Sequence, residues 1–234
     1  MTEHSNEIIE VKACKRNGKP FRAALVSFFA LALVCGVIYP LAVTGVSKLM
    51  FAKKAAGSII TVKTAEGEDI YGSTLMGQDY TKPIYLMGRS NSKAPTNLSP
   101  KSEDFIRNIE ARKQFFAQNG FAFEGDIPSE LVTTSGSGVD PHISPKAALY
   151  QVKSIVQARK TADWKLTVNE RGETQVVPPQ KVPETDQKNL TDYSEDFVRQ
   201  IIHRHTEKKL LGLFGKDRVN VLLVNLELDG VVQK

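Results

Sequence analysis

The sequence is poor in several things at once. Its 234 residues hold two cysteines, Cys14 and Cys35, too few for a disulfide framework. Tryptophan occurs once, at Trp164, and Lys and Arg exceed Asp and Glu by only 31 to 26. A net +5 is no case for nucleic-acid binding. The phosphate-binding pattern G-x-x-x-x-G-K-[ST] is missing, since Gly18-Lys19 and Gly215-Lys216 lack the rest of it. The D-K-T-G-T phosphorylation sequence of P-type ATPases and the T-V-G-Y-G potassium filter are missing too. A pump served by this chain would therefore hydrolyse ATP and select its ion on other chains. With 41% hydrophobic residues, the chain as a whole is not disordered.

Apolar residues concentrate in one place. Ala23–Val46 runs 24 residues without a charge, and nineteen of them are hydrophobic. As a helix it would rise about 36 Å, enough for a hydrocarbon core of about 30 Å. A buried core helix of that length would show a polar face, and a signal peptide would have a shorter apolar stretch and a small-x-small cleavage site. The run reads as an uncleaved transmembrane anchor, with Pro40 placed to kink or end it. Lys12, Lys15, Arg16, Lys19 and Arg22 precede it, against Lys48, Lys53 and Lys54 after it. This bias puts residues 1–22 in the cytoplasm and 47–234 outside. The outer part carries a near-balanced net +3 and no cysteine.

The outer part reads as one α+β domain. Ser58–Val62 and Ile70–Tyr71 suggest strands, and Tyr80–Arg89 a loop, a short strand and a turn. Pro100–Asn119 reads as a helix with Phe105, Ile106, Ile109 and Phe116 on one side. Ser144-Pro145 supplies an N-cap and a first-turn proline for a helix to Lys160, whose Ala148, Val152, Ile155, Val156 and Arg159 share a face. Gly172–Thr191, with three prolines, reads as a surface loop or hairpin connection. Asp192–His205 is helical, burying Phe197, Val198, Ile201 and Ile202. Arg218–Leu228 is apolar in both registers and reads as a strand covered on both sides. Mixed elements without a βαβ rhythm give the α+β class.

Candidate chemistry is sparse. Ser135, Gly136, Ser137 and Gly138 form the densest Gly/Ser cluster, a loop able to nest an anion such as a nucleotide phosphate, or simply a tight turn. Asp140 and His142 pair a carboxylate with an imidazole, without a nucleophile motif such as G-x-S-x-G beside them. His203 and His205 point apart if helical, which disfavours a shared metal. Trp164 and the Tyr80/Tyr85 pair read as core or interface residues.

Together, several stretches resemble one family. YPLAVTGVSKLMF (39–51), GS-x-L-M-GQ (72–78), Y-T-K-P-x-Y-L-x-GR (80–89), LVTTSGSGVDPHISP (131–145) and RVNVLLVNLELD (218–229, after His205-Thr206) occur in the order seen in the C subunit of the Kdp potassium-transporting P-type ATPase. Departures fall in turns: Ser90 follows Gly88-Arg89 without the usual proline, Ser99 stands where glycine is common, and Gly215-Lys216-Asp217 replaces G-E-P. The resemblance implies a non-catalytic, single-spanning subunit of the bacterial plasma membrane. Its partners would be a channel-like A subunit, an ATP-hydrolysing B subunit and a small F subunit, besides the lipid bilayer. The complex would import K+ using ATP, and the C subunit would act as assembly factor and catalytic chaperone, raising the ATP affinity of the B subunit. Family descriptions attach ATP binding to such chains, which would make Ser135–Gly138 the cofactor loop. An outer domain conflicts with direct contact to cytoplasmic ATP. The alternative is a membrane-anchored nucleotide-binding regulator with its domain in the cytoplasm. No bound metal is expected. Expected partner-interface residues are Gly36, Tyr39, Pro40 and Gly45 in the anchor, and Arg89, Asp140 and His142 outside it.

Overall fold

The structure is a computed structural model and describes residues 20–64, 67–90, 95–168, 174–177, 191–209 and 212–231. It divides into two units, residues 1–56 and 57–234.

The described part of the first unit is helical. α1 (Pro20–Leu33), a π-helical turn (Val34–Ile38) and α2 (Tyr39–Met50) form one continuous helix of 31 residues, followed by the short α3 (Ala52–Ala55). At 1.5 Å per residue the long helix measures about 46 Å. It is long and apolar enough to cross a bilayer, and none of its residues is buried. Pro40 does not end it. Proline lacks a donor, and its ring crowds the carbonyl four residues back, here that of Gly36. The wide turn absorbs this: the Tyr39 N–H bonds Val34 O, one residue further back than in an α-helix.

The second unit is a mixed α/β domain. β1 (Ile59–Thr64) and β2 (Gly67–Ser73) form an antiparallel hairpin, bulged between Ile60 and Thr61. α4 (Glu103–Gln118) starts at Ser102, whose hydroxyl accepts the Phe105 N–H, and buries Phe116. Arg112 stacks over the rings of Phe115 and Phe116, 5.1 and 4.8 Å from their centroids. Ile106, expected on the packed face, is instead exposed, because that face is centred on Phe105, Ile109 and Phe116. α5 (Ser129–Val132) and β3 (His142–Ile143) follow.

The expected single helix from Pro145 is two: α6 (Pro145–Tyr150), capped by Ser144, and α7 (Val152–Thr161). Gln151 makes the break and is itself buried. β4 (Lys165–Val168) pairs with β5 (Thr174–Val177) and β6 (Thr191–Asp192), so of the two readings of residues 172–191, surface loop or hairpin connection, the strand pairing favours the second. Residues 178–190 of that region, with its three prolines, lie outside the described residues. α8 (Glu195–Arg204) is capped by Ser194 and buries Phe197, Val198, Ile201 and Ile202, as expected. Each such side chain contributes about 1.5–3 kcal/mol by leaving water.

The end of the domain corrects the sequence reading. β7 (Thr206–Glu207) and β8 (Arg218–Asn220) pair antiparallel, and β8 also pairs with β3. The strand then stops, and Val221–Leu228 is helix α9. The Asn220 carboxamide accepts the Leu223 N–H and starts the helix. A run apolar on every face suits a buried helix as well as a buried strand, and here the cap selects the helix. Val221, Leu222, Val224, Asn225, Leu226 and Leu228 are all buried.

Residues 84–89 form no strand, yet Leu86 and Met87 are buried. Side chains stand in for a neighbouring strand. The Leu86 N–H donates to Asn225 Oδ1 (2.7 Å), and Asn225 Nδ2 donates to Leu86 O (2.9 Å). Gln151 does the same for Met87, at 2.8 and 3.0 Å, and also reaches Ala147 O. Arg159, 0% exposed, donates to Ile84 O (2.8 Å) and Leu228 O (2.5 Å) and pairs with Asp229 (2.9 Å). Trp164, Tyr193 and Tyr85 surround its guanidinium at 4.3, 5.3 and 5.6 Å. Trp164 is thus a structural residue.

Burial, with Asp229 close by, pushes the Tyr85 phenol up to about 12, and burial pushes Tyr193 to about 12 against the pull of Arg159. Both hold their protons more tightly folded than unfolded, so their contribution is complete below pH 10 and is lost as pH rises towards 12. Melting temperature should fall across that window, and tyrosinate absorbance should show late-titrating groups that include Tyr85 and Tyr193; titration of all tyrosines near 10 would contradict the packing. Asn225→Leu strands a buried donor and a buried acceptor at Leu86, so urea unfolding followed by Trp164 fluorescence should show a loss of about 2–4 kcal/mol.

Candidate interaction site

The site is built where three motif stretches meet. Near the end of β2 the chain bends at Gly72, whose φ of +131° is open to glycine alone. The Gln78 side chain folds across that glycine and donates to Tyr71 O (2.8 Å), filling the space a Cβ would need. Two further bonds fix the turn: the Asn220 amide donates to Thr74 O (2.9 Å), and the Gly77 N–H donates to Val139 O (2.7 Å). Leu75 and Met76 at the tip of this turn are 60% and 54% exposed. An apolar pair held outward by a fixed backbone has the character of a contact surface.

The neighbouring loop is Ser135–Gly138. Its one amide with a partner in the loop is that of Gly138, and its two serine hydroxyls accept the amides of the next two residues. The Gly138 N–H bonds Ser135 O (3.1 Å), the Val139 N–H bonds Ser137 Oγ (3.2 Å), and the Asp140 N–H bonds Ser135 Oγ (3.2 Å). Ser135 and Gly138 are buried, Gly136 and Ser137 exposed, and Gly138 has φ +76°. These bonds make a self-supporting turn.

Asp140 and His142 come together as the sequence suggested. Asp140 Oδ1 accepts the His142 N–H (3.0 Å) and lies 3.4 Å from its Nδ1. His142 Nε2 is 3.4 Å from the Asn220 amide nitrogen. Both ring nitrogens are therefore engaged, and the group beside the imidazole is a carboxamide, which is not a nucleophile. The pair serves to hold the loop against β8, helped by the Val221 N–H to Pro141 O bond (3.0 Å). Arg89 joins from the other side, donating to Thr134 O (3.0 Å) while Ser90 bridges Thr134; its buried Nε has no partner among the described residues.

His203 and His205 part company. His203 is exposed, while His205 lies 2.6 Å from Glu227, which also pairs with Arg204. Gly36, Tyr39, Pro40 and Gly45 are on the long helix in the other unit, all exposed, and a Cβ on Gly36 or Gly45 would meet nothing within 4 Å.

Four connecting residues escaped the sequence reading: Gln78, Glu130, Asn220 and Asn225. Glu130 binds both the N–H and the hydroxyl of Ser144, tying α5 to the cap of α6. The visible signal was two asparagines five apart in an apolar run, Asn220 and Asn225, since a buried carboxamide needs partners.

Fold and site together define a mixed α/β domain, carried after one apolar helix of membrane-spanning length and presenting a braced, partly apolar surface. A family model described as K+-transporting ATPase, c chain, matches residues 21–175 and 187–230. The chain is 41% identical over 219 residues to the potassium-transporting ATPase KdpC subunit of Listeria innocua, covering 93% of this chain and 98% of that one. It is 36% identical over 233 residues to the subunit of that name from Clostridium perfringens (92% and 100% covered), and 35% over 219 residues to that of a Janthinobacterium strain (89% and 97%). The chain belongs to the KdpC family, subunits of a potassium-transporting ATPase.

Gly72→Ala should cost about 1–3 kcal/mol from backbone strain and displace Gln78 as well. Adding Gln78→Ala should recover only part of the loss in chemical denaturation, because the clash goes and the strain stays. Full recovery would show that φ at this turn is unimportant.

Proposed function

We propose that this chain is the non-catalytic accessory subunit of an ATP-driven potassium uptake complex in the bacterial plasma membrane. Residues 23–46 span the bilayer, residues 1–22 lie in the cytoplasm, and residues 47–234 lie outside. The channel-like A subunit selects K+, the B subunit hydrolyses ATP, and a small F subunit completes the complex. The observation that carries this reading is the 31-residue apolar helix without a single buried residue, in a chain whose family serves a multi-subunit transport ATPase. Gly36 and Gly45 leave room for another helix to approach closely. The outer domain docks over the extracytoplasmic mouth of the channel-like subunit, with the Leu75–Met76 tip and the Arg89, Asp140 and His142 segments as its contact surface. Any rise in ATP affinity of the B subunit is transmitted through the membrane subunits, as differential binding to states of the transport cycle. In this reading Ser135–Gly138 braces the contact surface and meets no nucleotide.

Leucine at Gly36 or Gly45 should lower recovery of the complex in detergent pull-downs, by roughly three- to tenfold for an interaction of this kind. Wild-type recovery would remove the helix from the assembly interface. Gly136→Cys, on an exposed turn, should react with a membrane-impermeant maleimide in intact cells. Labelling only after lysis would place the domain in the cytoplasm.

A further inference from the structure

Between β7 and β8, the described residues 208–209 and 212–217 have a distinctive layout. The Lys209 N–H donates to Asp217 Oδ1 (3.0 Å) and the Gly212 N–H to Lys209 O (3.1 Å), closing the base. Gly212 and Gly215, at φ +73° and +87°, turn the chain on either side of Leu213 and Phe214. Those two side chains are 79% and 66% exposed, among the most exposed large apolar groups of the domain. Lys208, Lys209 and Lys216 flank them, exposed and without an ion-pair partner among the described residues. The neighbouring acids are occupied: Glu207 pairs with Arg218 (2.7 Å), and Asp217 accepts the Lys209 amide.

We propose that the Leu213–Phe214 tip seats in the headgroup region of the bilayer, with Lys208, Lys209 and Lys216 on anionic lipid phosphates. An apolar tip above a collar of exposed lysines matches the division of an interfacial segment, apolar groups towards the acyl boundary and cations at the phosphates. This rests on the reading of the long helix as a membrane anchor. On that reading the seven residues that follow Met50, up to Gly57, reach at most about 25 Å, which keeps the start of the domain within that distance of the end of the helix. The contact is a second, reversible attachment of the domain to the membrane, beside the anchor.

The test uses the full chain in vesicles of phosphatidylcholine, with or without phosphatidylglycerol, carrying Phe214→Trp or, in the anchor, Phe29→Trp. The emission of Trp164 in the wild-type chain is subtracted. Phe214→Trp should shift to the blue and be quenched by lipid brominated near the headgroup, more strongly when phosphatidylglycerol is present. Lys208→Glu with Lys209→Glu and Lys216→Glu should abolish that dependence on anionic lipid. If Phe29→Trp is quenched by brominated lipid while Phe214→Trp stays open to aqueous acrylamide, the loop proposal fails and the anchor stands. If neither is quenched, the anchor reading falls and takes the loop proposal with it. Protection of Trp at position 214 only when other subunits of the complex are present would assign the tip to a protein and overturn the lipid assignment.

Discussion

The domain depends on how residues 84–87 are held. A buried backbone segment must bond every N–H and C=O it can, and the usual solution is a neighbouring strand. Here three side chains supply those bonds. Arg159 and Gln151 come from the α6–α7 region, and Asn225 comes from α9. Helices far apart in sequence are thereby fixed to one short segment, which sets the depth of α9 and, through Asn220 at its first turn, the position of the Leu75–Met76 tip. Because an unpaired buried amide costs more than a made bond gains, the arrangement specifies one packing.

Arg159 shows how the charge is accommodated. A buried guanidinium is unfavourable unless nearly every donor is used and its charge is opposed. Two carbonyls, the Asp229 carboxylate and three aromatic faces meet that requirement. The consequence appears in the tyrosines, whose protons are held more firmly by the same burial that isolates the arginine. On the surface, the oxygens of Ser135 and Ser137 accept the amides of Gly138, Val139 and Asp140, which holds the Ser135–Asp140 turn from within. The braced tip and the braced loop thus share one design, rigid backbone with its polar groups satisfied from within, which suits a surface that must meet a partner without reorganising.

What could be read from the sequence was what depends on near neighbours. α4 and α8 announced themselves by apolar spacing, α6 by its serine cap and first-turn proline, the first hairpin by its β-branched run, and the long helix by the absence of charge. The Asp140–His142 contact was also visible, being two residues apart. Arg89 could be named, but not its hold on Thr134, forty-five residues away. The 218–228 run misled because both of its faces are apolar, so period alone carried no choice between strand and helix, and a single capping bond from Asn220 made it. Gln151 was hidden for the opposite reason: a polar residue between two helical stretches looks like a solvent-facing position until Met87 is found against it.

The π-helical turn in the long helix extends the argument to the other unit. Proline in a bilayer-spanning helix frees a carbonyl that water is not there to satisfy, unless the turn widens or a neighbouring helix supplies a donor. Tyr39 bonding to Val34 widens the turn just before Pro40, and Gly36 lies within it, so the least regular part of the helix holds one of its two glycines. A helix that only anchored a domain would gain nothing from such a turn, since an unbroken apolar sequence holds to lipid equally well. Placing backbone irregularity and small residues together makes sense where another helix packs closely, because close approach is favourable only if both backbones are accessible there. On the proposed reading of this helix as a packed membrane span, the proline, the wide turn and the glycine act as one feature, which would turn an apolar span into a specific contact.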